Sequence, residues 1–206
     1  MPKFVDHEKR KIKIAEATWK LIVEQGIEQA TVRKIAQESG LSVGALRHYF
    51  TTQSELLKFS MELVVQRVMD RTHSTNYKGS PFEIAMDAIS EVLPIDSDRR
   101  VEMEVWFVFS AKTLVDQSLR SVGEKTYQNM HQGLYRVLEF LYSQHLLKKD
   151  IDLEMEANRL HPLVDGMASH HLLYPSIYTY EKMIATLRYH LKTLWNGDDL
   201  NESTSS

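Results

Sequence analysis

Apolar side chains recur every three or four positions along nearly the whole chain, and apolar–polar alternation at period two is absent. That periodicity predicts helices almost throughout. Ile12, Ala15, Trp19 and Ile22 mark a first helix over about 7–25, stopped by Gly26. Two short helices follow, over about 31–38 and 42–48. A longer one over about 53–71 carries Leu57, Met61, Val64 and Val68 as its stripe. The polar run from Thr72 to Ser80 reads as a boundary loop, and Pro81 suits the first turn of a helix over about 81–93. Pro94 breaks the pattern and another helix starts near Asp98. Residues 98–146 stay helical apart from a break near 116–119, with Tyr127, Met130, Leu134, Val137 and Leu141 on one face. Two last helices fit about 153–173 and 180–195, separated by Tyr174 and Pro175. The end of the chain, 198–206, is polar and reads as a disordered tail. The fold class predicted is all-α, with about nine helices.

The segment from Thr31 to Phe50 is the most informative. Thr31 is a good N-cap, and Lys34 three residues later means that it does not open a capping box. Ile35 and Ala36 face inward, and the small Ala36 lets a second helix approach. Gly40 suits a left-handed turn between two helices. Ser42 caps the second of them, and Leu46 and Phe50 anchor it. Gly44, Arg47 and His48 then point away from Leu46, free to enter a major groove. This is the helix-turn-helix arrangement with its second helix as the reader. A plain helical hairpin in a bundle is the alternative.

Five features carry a family resemblance. A first helix ends in Gly26, and Thr31-Val-Arg-Lys-Ile-Ala36 follows. Next comes Gly40-Leu-Ser-Val-Gly-Ala-Leu46, and then His48-Tyr-Phe50 closes into Glu55-Leu-Leu57. Over about residues 10–60 this resembles the TetR family of transcriptional regulators. The resemblance implies an N-terminal three-helix DNA-binding domain (1–60) and a C-terminal helical domain (61–197) for ligand binding and dimerisation. It also implies repression relieved by a small ligand. By the same resemblance Thr31, Val32 and Arg33 approach the DNA backbone. Ser42, Val43, Gly44, Ala45, Arg47 and His48 form the recognition helix, and Tyr49 meets phosphate. Arg47 stands where the family often has Tyr, and an Arg there can pair with guanine. Gln53 stands where a Lys is frequent. The run Lys9-Arg10-Lys11 is either a DNA-reaching arm or a solvated helix start.

The C-terminal half is similar to the BetI-type subgroup at Glu102-Met-Glu-Val-Trp106 and at Leu163-Val-Asp-Gly-Met-Ala-Ser-His170. Two stripes suit partner helices: Ala157, Leu160, Val164, Ala168 and His171, and Met183, Ile184, Leu187, Leu191 and Leu194. A homodimer through these last two helices is one reading, and packing within the chain is the other. Trp106, Phe107, Phe109, Tyr127, Met130, His131, Tyr135, Met167 and His170 are candidates to line an effector pocket, or belong to the core.

Charge sharpens the picture. Residues 1–60 hold ten basic and seven acidic side chains, a balance of +3, while the rest carries −6. A basic head on an acidic body points to an anionic partner at the N-terminal end, and double-stranded operator DNA fits. There is no cysteine, so thiolate catalysis and cysteine zinc sites are excluded. His161, His170 and His171 are not three or four apart, so no metal and no cofactor is expected. No Gly-rich phosphate loop or nucleophile constellation suggests an enzyme; the non-enzyme rival is a helical protein-interaction module. Neither a signal segment nor a run of about 20 apolar residues is evident, so a cytoplasmic protein is expected.

Overall fold

The computed structural model describes the backbone of residues 2–196 and the side chains of 6–196; the expected disordered tail lies outside these residues. Nine α-helices occur among them: α1 (Pro2–Gln25), α2 (Val32–Glu38), α3 (Val43–Arg47), α4 (Gln53–Ser74), α5 (Pro81–Ser90), α6 (Ser97–Thr113), α7 (Arg120–Ser143), α8 (Leu153–Leu173) and α9 (Tyr180–Thr193). The expected break near 116–119 is a short 3-10 turn, Gln117–Leu119. The only β-type pairing noted among the described residues is an isolated bridge between Leu147 and Trp195. The all-α expectation therefore holds.

The helices gather into two compact units. One comprises the chain through Arg71 together with Ser97–Thr126; the other comprises Thr72–Asp96 and the chain from Tyr127 onward. The expected functional boundary at residue 60 falls inside the continuous helix α4.

In the first unit the inward stripes of α1 to α4 meet in one core. Ile14, Trp19, Ile22, Ile35, Leu46, Phe50, Leu56 and Met61 are buried in it, joined by Val105 and Phe109 of α6. Burying each such large side chain contributes about 1.5–3 kcal/mol, so this core dominates the unit's stability. Polar tethers fix its geometry. The Trp19 indole N–H donates to the carbonyl of Ser60 at 3.1 Å, tying α1 to α4. Arg67 of α4 lies over the Trp19 ring and pairs with Glu16. Arg71 grips the buried Glu102 of α6 through two parallel bonds of 2.9 and 2.7 Å. That bidentate form is the strong one for such a pair.

In the second unit, Leu134, Leu138 and Leu141 of α7 are buried, as are Leu160 and Val164 of α8 and Leu187 and Leu191 of α9. Each helix start is capped. Ser80 and Glu83 form a reciprocal capping box at α5, Asp152 caps α8 and Thr179 caps α9. Backbone bonds from Lys148 to Leu194 and from Asn196 to Leu146 pin the end of α9 to the α7–α8 connection. Pro162 sits inside α8 on its exposed side and supplies no N–H to the carbonyl of Asn158.

Candidate nucleic-acid interface

The turn between α2 and α3 is built by its own sequence. The Thr31 hydroxyl accepts the Lys34 N–H at 3.4 Å and the Ser42 hydroxyl accepts the Ala45 N–H at 3.1 Å, so both helices start on side-chain caps. Gly40 takes φ of 71°, a conformation that costs any other residue. Around it Leu41 N–H bonds the Ala36 carbonyl at 2.8 Å and Gly40 N–H the Gln37 carbonyl at 3.1 Å. These two bonds satisfy the carbonyls at the end of α2 in a Schellman stop. The buried Ser39 turns its hydroxyl onto the Ile35 and Ala36 carbonyls.

This geometry sorts the side chains of α3. Leu46 and Phe50 are 1 % and 3 % exposed and enter the core. Ser42, Val43, Gly44, Arg47 and His48 are exposed on the other side, with Ala45 and Tyr49 half-buried between. A Cβ added at Gly44 would meet little, its nearest neighbour being the Ser42 hydroxyl at 3.9 Å. At the start of α2, Thr31 and Arg33 are exposed and Val32 is half-buried against the core. The structure thus brings all ten sequence-derived residues, from Thr31 to Tyr49, to one short stretch of α2 and α3.

Neighbouring residues refine the picture. The His7 ring of α1 lies 4.8 Å from the Tyr49 ring, which places α1 beside the reader helix. Aromatic pairing at that distance left no periodic signal in the sequence. Lys11 leans over the rings of Phe50 and Phe59 at 5.7 and 5.2 Å, while Lys9 and Arg10 are exposed, so the basic run divides. Gln53 donates its amide to the Ala30 carbonyl at 2.9 Å, joining the first turn of α4 to the residue just before α2. Lys34 is held by Gln25 and Gln29.

The pocket candidates fall in two places. Phe109 of α6 is 2 % exposed within the first unit's core, and Trp106 packs against the same cluster, with Phe107 half-buried. In the second unit, Met130 and Tyr135 are half-buried, Met167 is buried, and His170 is exposed with its ring edge-to-face on Tyr178. Tyr127 and His131 come together on α7. The Tyr127 ring lies 4.5 Å from His161 of α8, and His131 reaches Asn158 at 3.2 Å. No group of three or more side chains able to hold a metal occurs among the described residues.

The two stripes read as dimer faces need correction. Ala157, Leu160, Val164 and Ala168, with Met183, Leu187, Leu191 and Leu194, are buried by the chain itself. They are core, which is the alternative that the sequence left open. The apolar residues that α8, α9 and their connection leave exposed lie elsewhere: Met155, Leu173, Tyr174, Ile177, Tyr180 and Tyr189. Gly166 is open on the same side of α8 as Met155 and Leu173 by helical spacing, with nothing near its missing Cβ.

A capped helix pair around a left-handed glycine, with an exposed second helix on a packed three-helix head, defines a helix-turn-helix DNA-binding protein. Comparison with known proteins narrows the class. Residues 14–58 match the family described as bacterial regulatory proteins, tetR family, and residues 81–196 match BetI-type transcriptional repressor, C-terminal. The chain is similar to the HTH-type transcriptional regulator PksA of Bacillus subtilis (strain 168), 39 % identical over 195 residues, 94 % of each chain. A transcriptional regulator from Rhodococcus sp. Rha1 superposes with a TM-score of 0.78 at 26 % identity, over 90 % of this chain and 97 % of that one. A putative transcriptional regulator from Saccharomonospora viridis, solved in complex with choline, gives 0.71 at 20 % identity, over 90 % and 95 %. The chain belongs to the TetR family of DNA-binding transcriptional regulators, with a C-terminal domain of the BetI type. No helix among the described residues is long and apolar enough to cross a membrane.

Proposed function

We propose that this chain is a homodimeric repressor that holds a palindromic operator with α3 of each protomer and lets go when a small effector binds its C-terminal helices. In this division residues 1–60 read DNA and 61–197 dimerise and take the effector. The observation that supports it most is the exposed face of α3, where Arg47 stands out from a helix locked in place by Leu46 and Phe50. Arg47 and Arg33 have no ion pair within the described residues, so both guanidinium groups are available to phosphate or to guanine.

Dimerisation supplies the second half-site. Two readers must lie about 34–36 Å apart, or a multiple, to enter successive major grooves on one side of the duplex. The exposed apolar residues Met155, Leu173, Tyr174, Ile177, Tyr180 and Tyr189 leave apolar area on the last two helices and their connection for a second chain to cover. A small effector acts by binding one head spacing better than the other, and only that difference in affinity can move the equilibrium. The Saccharomonospora relative, of the same fold, holds choline.

Selection from a duplex library over a salt series tests the DNA reading. The wild type enriches a palindromic site with steep salt dependence, and Arg47→Ala weakens or relaxes it. No enriched site at low salt for the wild type would overturn the proposal. Light scattering tests the interface: Leu173→Glu with Tyr189→Glu halves the mass while helical content is kept. A wild type that is monomeric at micromolar concentration rules the interface out.

A further inference from the structure

The second unit holds a polar cluster that the fold does not use. His161 of α8 is 1 % exposed, and neither ring nitrogen has a hydrogen-bond partner among the described residues. One turn on, the buried Oδ1 of Asp165 is also without one, and its other oxygen lies 3.7 Å from His161 Nε2, beyond bonding distance. Around them stand the half-exposed Tyr127 and, 6.2 Å away ring to ring, His131, itself engaged by Asn158. Leaving one such buried group unsatisfied costs about 1–3 kcal/mol, and three in one place are not there for stability.

The three atoms differ in what they want. A neutral imidazole offers one N–H and one lone pair, and a carboxylate offers lone pairs only. Burial, with the nearby His131 adding to it, pushes His161 down to about 4, and burial pushes Asp165 up to about 6. At neutral pH the histidine is therefore uncharged and the aspartate largely ionised. Its shift has no contribution from a neighbouring cation. A half-buried carboxylate with one oxygen shut away from water and no counter-charge is the costlier of the two groups and the one that a ligand relieves most.

Resting on the reading that this domain takes a small effector, we infer that Tyr127, His161 and Asp165 bind a protonated primary or secondary amine. The ammonium N–H groups donate to Asp165 Oδ1 and to the bare nitrogen of His161. The Tyr127 ring, 4.5 Å from the His161 ring, covers the cation. A quaternary ammonium has no N–H to give, and a neutral alcohol leaves the carboxylate without a counter-charge. The site therefore selects N–H-bearing cations over both.

Calorimetric titration of the full-length protein with ethanolamine and 2-amino-1-phenylethanol tests this, each beside its N-trimethyl analogue and the analogue with hydroxyl in place of amine. At least one amine binds ten times more tightly than both of its analogues. Asp165→Asn weakens that amine at least tenfold, and His161→Phe, which removes the nitrogen that accepts the ammonium N–H, weakens it as well. Circular dichroism establishes that each variant is folded. Should Asp165→Asn fail to fold, the wild type gives the same information, since amine affinity must fall as pH drops through about 6. Equal binding of amine and trimethyl analogue, indifference to Asp165→Asn in a folded variant, or no amine bound at all overturns the inference. Operator binding by the ligand-free wild type, measured in parallel, separates the two readings. If it is intact while amines are ignored, only the ligand class falls; if it is absent, the repressor reading falls.

Discussion

The turn at Gly40 and the stretch of α8 around His161 handle polar groups in opposite ways. At the turn every cap is made, Ser39 bonds two carbonyls, and the charged groups Arg33 and Arg47 stand in solvent. Around His161 the polar atoms are buried and the bonds are missing; Glu156 Oε2 of α8 and His190 Nε2 of α9 share that condition. The difference matches the partners. A polyanion as large as DNA is met by a rigid surface whose charges cost nothing to keep hydrated until contact. In the proposed effector site a small molecule would meet groups that the fold has already partly stripped of water, so that binding recovers energy the fold has given up.

Four substitutions test this contrast, from the largest effect down. Phe50→Ala removes the anchor that orients α3 and should cost about 3–5 kcal/mol, seen as a much lower melting midpoint; an unchanged midpoint would mean that the head is not held by its core. Asp165→Asn should uncover a pH slope. From pH 4 to 6.5 the folded state with neutral His161 binds fewer protons than the unfolded chain, so His161 adds stability as pH rises. Asp165, its folded value raised to about 6, keeps a proton that the unfolded chain has lost, so it removes stability as pH rises over nearly the same window. The two oppose each other in the wild type, with Tyr127 and His131 of α7 and Asn158 and Glu154 of α8 around them. In the Asn variant the His161 contribution is unopposed, and urea titrations should show stability rising across that window by about 3 kcal/mol more than in the wild type. A flat profile would break the account of the buried pair.

Arg47→Ala should leave the melt unchanged and cost about 1–3 kcal/mol of operator affinity, read by fluorescence anisotropy; a shifted melt would show that Arg47 holds the fold. Ser42→Ala should cost about 1 kcal/mol of stability through the lost cap. If it costs nothing by chemical denaturation, the turn is fixed by Gly40 alone.

How far the sequence could be read follows the same divide. The turn was legible because its determinants are local: Thr31, Gly40 and Ser42 act within three residues of themselves. Leu46 and Phe50 follow from spacing alone. The apolar face left over for the proposed second chain was not legible. Periodicity shows that Ala157, Leu160 and Val164 line up, but burial by one's own chain and burial by a partner ask for the same apolar residues. Only the three-dimensional packing shows that α8 has already spent that stripe, leaving Met155 and Leu173 outside. On sequence His161 reads as a satisfied or interface histidine rather than a metal ligand, and its place in a cluster is hidden because Tyr127 and His131 lie 34 and 30 positions away in the chain. Gln53 read as the loss of a Lys, and its amide bond to Ala30 has no sequence signature.

That bond sets a rule for building chimaeras. Gln53 opens α4 and its amide holds the carbonyl just ahead of Thr31, so residues 30 to 53 close on themselves as a small loop. A graft meant to give this protein another operator preference should carry that loop whole, with the glutamine and the Ala30 carbonyl from one parent. Cut between them, the transplanted reader would arrive with its sequence intact and its bearing altered.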